Sequence, residues 1–138
     1  MEIDQAIQSQ MIAKARQVAA NAYCPYSRFP VGAAVLTEQG EVFSGCNVEN
    51  ASYGLTICAE RNAIFHGVAA TAAPLVIRAV VVFTPTSEPT APCGACRQVI
   101  NEFGPDAEIL SVCDGPAVIT NRLEKLLPEA FGPRNLER

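Results

Sequence analysis

Two short segments hold most of the side chains able to do chemistry: Thr56-Ile-Cys58-Ala-Glu60-Arg61 and Pro92-Cys93-Gly-Ala-Cys96-Arg97. Each lies where a polar loop gives way to a helical pattern. A C-x-x-C pair at a helix start brings two sulfurs to one side of the first turn, because residues three apart are neighbours there. It also sets them beside the positive end of the helix dipole, which favours thiolate over thiol. Cys58, at a second helix start, can supply a third sulfur. Three protein ligands leave one tetrahedral position of a zinc ion open, the layout of a catalytic centre, whereas structural sites are usually closed with four. Glu60 stands two residues beyond Cys58. A helix turns about 200° over that step, yet a first turn is loose enough for the carboxylate to reach the open face. There it can accept and return a proton without ligating the metal.

Charge adds a requirement. Three thiolates on a dication leave one net negative charge, which holds the proton of a bound water more tightly and works against catalysis. Arg61 can donate hydrogen bonds to one or two of the sulfurs and offset that charge. Read only as a surface residue, it would be a cation in a first turn, slightly unfavourable against the dipole. On spacing alone, Cys93 and Cys96 also fit a redox pair, or half of a closed four-sulfur site completed by Cys24, Cys46 or Cys113. The redox reading wants a thioredoxin-like βαβ context, whereas this pair follows a strand and a long loop near mid-chain. Cys113 ends an apolar strand, where a buried free thiol is the ordinary occupant. His66, the only histidine, falls mid-helix and reads as a surface or packing residue.

The elements that position these groups follow from periodicity. Ile3, Ile7, Met11, Ala15 and Val18–Ala19 recur at helical spacing, predicting an amphipathic helix over 3–20. Residues 21–30, with two prolines and three aromatics, predict an ordered loop. Residues 32–37 and 41–45 read as an antiparallel pair around Glu38-Gln-Gly40. A polar loop covers 46–52, and 58–70 has helical spacing. The run 76–83, β-branched and nearly continuous, predicts a central strand covered on both faces. After the proline-rich stretch 84–92 come a short helix over 93–103, stopped by Gly104-Pro105, and strands at 107–113 and 117–120. A helical turn over 121–127 has Asn121 as its expected cap, with Glu124 three residues later. The order α, β, β, α, β, α, β, β, α predicts an α/β fold, three layers α/β/α, with a mixed sheet of about five strands.

Composition bounds the rest. A chain of 138 residues suits one domain, here 1–138, and at this size a core forms without crosslinks. With 49% hydrophobic residues and a net charge of only −4, intrinsic disorder is excluded. The acidic balance argues against nucleic acid as a partner, since a phosphate-tracking surface shows a basic excess. The start, Met1-Glu2-Ile3-Asp4-Gln5, does not read as a secretory signal. No apolar run approaches the roughly 18 residues of a spanning helix, so no membrane partner is expected and a cytoplasmic location is. Six cysteines are too few for a disulfide scaffold.

Cys58-Ala-Glu60 followed by Pro92-Cys93-Gly-Ala-Cys96 resembles the signature of the zinc-dependent cytidine/deoxycytidylate deaminase superfamily. Within it, the chain is similar to the short, homotetrameric cytidine deaminases. The likeness runs through Pro25-Tyr-Ser-Arg-Phe-Pro-Val-Gly-Ala-Ala34, Gly45-Cys-Asn-Val-Glu-Asn-Ala-Ser-Tyr53, Cys58-Ala-Glu-Arg61, Pro92-Cys-Gly-Ala-Cys-Arg-Gln-Val99 and Leu126-Leu-Pro-Glu-Ala-Phe131. Five blocks in order are far more specific than any one of them. The first ligand is cysteine, as in the short form, where other members have histidine.

The resemblance implies hydrolytic deamination of cytidine and deoxycytidine to uridine and deoxyuridine, with release of ammonia, in pyrimidine salvage. Cys58, Cys93 and Cys96 would hold one Zn²⁺ per subunit, and hydroxide on that zinc would add to C4. Glu60 would shuttle protons to N3 and the leaving amine, and Arg61 would neutralise thiolate charge. Phe29 would line the pyrimidine pocket, Asn47 and Glu49 would bind the ribose 3′-hydroxyl, and the Ala59 backbone would contact the base. Ala51 and Tyr53 would reach a neighbouring subunit's ribose site, and Phe131 would close a neighbour's pocket. Three other readings compete. A deaminase of the blasticidin S type would keep the zinc set and change the pocket. A polynucleotide editor is opposed by the acidic balance. A non-enzymatic zinc module would close its site with a fourth ligand and leave Glu60 without a task.

Overall fold

The computed structural model describes residues 3–137; the chain start at Met1 and Glu2 lies outside them. Helix α1 covers Gln5–Ala19, strands β1 and β2 cover Gly32–Thr37 and Val42–Cys46, and helix α2 covers Ala59–Ala70. Strand β3 (Ile77–Phe83), helix α3 (Gly94–Phe103), strands β4 (Glu108–Val112) and β5 (Ile119–Arg122) and the short helix α4 (Leu123–Leu126) complete the order. The five strands form one sheet in the order β2-β1-β3-β4-β5. Only β3 and β4 run parallel; the other neighbours are antiparallel. The expected three layers and five strands are therefore present.

Alternation along the strands divides the core. Ala34, Leu36, Ala79, Val81, Leu110 and Val112 face α1, where they meet Met11, Ala15 and Ala19. Ala33, Val35, Val80 and Ile109 face the other way and meet Ala59, Ala63 and Ile64 of α2 and Ile100 of α3. A strand buried on both faces has to be apolar throughout, and all six residues of β1 are buried. Small residues let the layers approach. A Cβ at Gly32 would fall 2.9 Å from the Ala19 nitrogen of α1, and one at Gly45 would fall 2.3 Å from the Ala63 nitrogen of α2. Helix α1 begins under the Asp4 carboxylate, which accepts from the Ala6 N–H at 2.7 Å.

Two boundaries differ from the sequence-based expectation. Strand β5 runs to Arg122, so Asn121 pairs with Ile109 in the sheet and is not free to cap a helix. The cap of α4 is Arg122, without a side-chain cap bond. Instead, the Arg122 guanidinium meets Glu124 at 2.9 Å. Single 3-10 turns at Tyr53–Leu55 and Pro133–Leu136 have no periodic signal long enough to announce them.

Candidate metal centre and its cavity

Cys58 and Cys93 occupy equivalent positions. Each is the N-cap residue of a helix, with extended backbone (φ −69°, ψ 158° and φ −68°, ψ 167°), and neither sulfur makes a capping bond. Both sulfurs thus stand clear of their own helices. Cys96, in the first turn of α3, comes to the same place. The three sulfurs lie within 4.8 Å of one another, and Cys58 Sγ is 3.9 Å from Cys93 Sγ. Zinc–sulfur bonds of ~2.3 Å in a tetrahedron separate the sulfurs by about 3.8 Å. The spacing fits a zinc ion, and among the described residues no fourth His, Cys, Asp or Glu ligand atom joins the group. Cys24, Cys46 and Cys113 are free thiols elsewhere, which removes the closed four-sulfur reading.

The electrostatics of the cluster agree with the charge argument. Cys58 is drawn down to about 5, first by a hydrogen bond from Cys96 and then, against its partial burial, by the Arg61 guanidinium. Cys96 moves upward, because it keeps the shared proton and is buried. Arg61 Nη2 lies 3.3 Å from Cys58 Sγ, and the bond to that sulfur raises the guanidinium further. Its Nε is buried without a protein partner. Three crowded sulfurs sharing protons unevenly, with a cation already against them, are suited to release those protons to a dication.

Glu60 is only 4% exposed, and burial pushes its carboxyl up to about 7, with the Cys58 thiolate adding to the effect. It lines a cavity of about 330 Å³ together with Cys58, Cys93, Ala59, Phe29, Asn47 and Glu49. That volume is at the scale of a small-molecule site. Its floor is the start of α2, whose first N–H groups have no intrahelical acceptor.

One wall, residues 25–31, is held by side chains gripping backbone. The Asn47 carbonyl oxygen accepts from the Val31 N–H, and its amide donates to the Phe29 carbonyl, both at 2.9 Å. Glu49 Oε1 accepts from the N–H groups of Tyr26 and Ser27 at 3.0 and 3.2 Å. Hydrogen bonding from Ser27, side chain first, holds the Glu49 carboxyl below its ordinary value. Asn47 and Glu49 are therefore anchors as well as lining, which their loop position did not reveal.

Tyr53 and Ala51 lie outside this cavity. Tyr53 is 74% exposed and packs on Tyr26 with ring centroids 5.7 Å apart, lining an adjoining depression of about 280 Å³. Phe131 is 61% exposed, and its carbonyl accepts from Gln98 Nε2 at 2.8 Å. His66 is an exposed residue of α2, edge-on to Phe43 and bonded to the Ser44 carbonyl at 3.0 Å. Cys113 is buried as expected. Thr84, Thr90 and Ala91 also line the cavity without having been singled out from sequence. Thr84 follows β3 directly, and the carboxyl ends of strands are where open sheets collect ligands; that was the available signal.

Comparison with known proteins agrees with this architecture. Residues 5–112 match the family model for the cytidine and deoxycytidylate deaminase zinc-binding region. A cytidine deaminase of Sporosarcina psychrophila is 42% identical, over 91% of this chain and 92% of its own length. One of Mycobacterium tuberculosis is 48% identical, over 90% and 89%. The crystal structure of cytidine deaminase from Burkholderia pseudomallei superposes with a TM-score of 0.84 at 48% identity, covering 89% of this chain and 98% of that one. With the cysteine triad, the buried glutamate and these likenesses together, the chain belongs to the cytidine and deoxycytidylate deaminase zinc-binding family.

Proposed function

We propose that the cavity takes cytidine or deoxycytidine, with C4 of the ring above the sulfur cluster, and that the chain deaminates it hydrolytically. The carrying observation is a group of three sulfurs, of which Cys58 and Cys93 line a cavity that also presents the buried Glu60 carboxylate. Cys58, Cys93 and Cys96 would hold the zinc ion, which when bound would make a water acidic enough to act as a nucleophile near neutral pH, its pKa falling from 15.7 toward about 7. Glu60 takes a proton from the attacking water and passes it to N3, which makes C4 electrophilic. A C4–O bond forms, and the carbon becomes tetrahedral. Glu60 then delivers the second proton to N4, the C4–N4 bond breaks, and ammonia leaves with uridine or deoxyuridine as the product.

Arg61 offsets the thiolate charge from its place against Cys58. Phe29 packs on the ring, and the Ala59 N–H contacts the base. Glu49 offers its carboxylate to the ribose 3′-hydroxyl, and Asn47 retains one N–H for the same group, since its described contact engages one amide hydrogen. The family covers nucleosides and nucleotides. Here the lining includes two carboxylates and, among the described residues, no lysine or arginine, so a 5′-phosphate finds no counter-charge and the nucleoside is favoured.

The exposure of Tyr53 and Phe131 leaves them free to meet a neighbouring subunit, as in the short homotetrameric form the sequence resembles, where Ala51 and Tyr53 would reach a neighbour's ribose site and Phe131 would close a neighbour's pocket. Among the described residues no helix is long and apolar enough to cross a membrane. A cytoplasmic location suits free thiolate ligands, which stay reduced there.

The test is loss of cytidine absorbance with zinc content measured on the same sample, against deoxycytidine, their 5′-monophosphates and blasticidin S. Turnover of the two nucleosides, and its abolition in a zinc-loaded Glu60→Gln variant, is expected. A zinc-replete protein that leaves cytidine intact overturns the reading.

A further inference from the structure

Arg97 has no part in the chemistry above, yet it is bonded on both sides of a metal ligand. Its backbone N–H donates to the Cys93 carbonyl at 3.0 Å, and its Nε donates to the Pro92 carbonyl at 2.7 Å. These carbonyls belong to the two planar peptide groups that flank the Cys93 Cα. Holding both planes fixes φ and ψ of Cys93, and with them the direction in which its Cβ and sulfur leave the chain. The Cys93 sulfur, free of any capping bond, takes its position from that backbone.

The other arm of the guanidinium reaches across the fold. Arg97 Nη1 donates to the Leu126 carbonyl at 3.0 Å, at the end of α4. That helix is itself seated: the Leu123 N–H donates to the Ala107 carbonyl at 2.9 Å, and the Leu123 side chain is fully buried. A guanidinium is a rigid planar fork, so its two arms cannot be placed independently. The peptide that leads into Cys93 is therefore referenced, through one side chain, to a fixed point beside β4 and β5.

We propose that Arg97 is a positioning residue of the metal centre, which sets the Cys93 sulfur at zinc-binding separation from Cys58 by locking the Pro92–Cys93 peptide to the C-terminal helical turn. It rests on the zinc reading of the sulfur cluster. Residues that orient ligands from behind, without touching the metal, typically account for about 10- to 100-fold in metal affinity or activity.

The experiment compares Arg97→Lys, Arg97→Gln and Arg97→Ala with the parent protein. Zinc affinity is read by competition with a chromophoric chelator, thiolate geometry by the absorption spectrum of the cobalt-loaded protein, and fold stability by the Tm of the zinc-free protein. Zinc affinity is expected to fall about 10- to 100-fold in the Gln and Ala variants, with an altered cobalt spectrum and kcat lowered more than KM is raised. Arg97→Lys, whose ammonium meets one carbonyl at a time, should fall between, and it supplies the same readouts should the shorter side chains prevent folding. Millimolar methylguanidinium should restore part of the zinc affinity of Arg97→Ala. Variants whose zinc-free Tm drops while zinc affinity and cobalt spectrum match the parent overturn the proposal, since Arg97 would then only staple helix to loop. A parent protein that takes up no zinc overturns the metal reading itself, and this proposal with it.

Discussion

Alanine at position 45 would test how the sheet sets the metal centre. Gly45 lies in β2 opposite Ala33, with α2 against it. A Cβ there would stand 2.3 Å from the Ala63 nitrogen and 2.7 Å from the Asn62 carbonyl carbon. Ordinary contact begins near 3.4 Å, so α2 would have to withdraw by 3.4 − 2.3, about 1.1 Å. The obstacle is helix backbone, which cannot swing aside as a side chain can. Overpacking costs roughly 1–3 kcal/mol, and a backbone obstacle puts Gly45→Ala at the upper end, about 3 kcal/mol. Helix α2 carries Glu60 and follows directly on Cys58, while Cys93 and Cys96 belong to α3. Withdrawal should therefore open the 3.9 Å spacing between Cys58 and Cys93. Misplacement of reacting groups by about 1 Å can cost about 100-fold in rate.

Gly67→Ala on the same helix is the comparison. Its Cβ would meet only Phe43 Cδ2 at 3.1 Å and Leu75 methyls at 3.4 and 3.5 Å, the ends of side chains that can shift, and alanine gains about 1 kcal/mol in helix propensity. Urea denaturation and chelator competition should show Gly45→Ala destabilised and weak in zinc, and Gly67→Ala within about 1 kcal/mol of the parent. A Gly45→Ala protein with parental stability and zinc affinity would refute the claim that the β2–α2 contact places Cys58.

In the zinc-free protein the Glu60 carboxyl, raised from 4.5 to about 7, contributes stability that is lost as pH rises through that range, because the folded chain keeps a proton that the unfolded chain has released, while the Cys58 thiol, drawn down to about 5, contributes in the opposite sense above pH 5. The Glu60 contribution is full below pH 4.5, fades as pH passes through 7 and amounts to about 3 kcal/mol; in a denaturation series the stability of the parent relative to Glu60→Gln should fall across this range, and a difference that does not change with pH refutes the assignment to Glu60. Asn47→Ala would take their partner from the part-buried Val31 N–H and Phe29 carbonyl, at about 0.5–1.5 kcal/mol each, and steady-state kinetics should show KM raised more than kcat is lowered. Cys93→Ala should abolish zinc uptake. Its Tm should then ignore a chelator that lowers the parent's, because zinc held at structural strength is worth about 10–16 kcal/mol in peptides.

Much of this was legible in the residues because it depends on local period and spacing. The β-branched run of β3, the alternation that splits β1 between two cores, and the helix starts at Cys58 and Cys93 are short-range features. The zinc triad was readable because two helix starts, 35 residues apart between Cys58 and Cys93, carry the same ligand type. What escaped was set by tertiary pairing. Asn121 looks like a cap until β5 claims it as the partner of Ile109. The anchoring by Asn47 and Glu49 depends on a loop folding back across 16 to 23 positions, and Arg97 looks like a surface cation until Leu126 arrives beside it.

Both clamps on the 25–31 wall grip peptide groups. A hydrogen bond to a main-chain N–H or carbonyl is indifferent to the side chain that residue carries. Tyr26 and Phe29 can therefore be exchanged for other types while the wall keeps its course, whereas Ser27, whose side chain bonds Glu49 and the Phe29 N–H, is part of the clamp; substrate range could drift by single substitutions at the first two without disturbing the start of α2. The molecule separates what must be fixed from what is open to variation, and the boundary runs along the backbone of one loop.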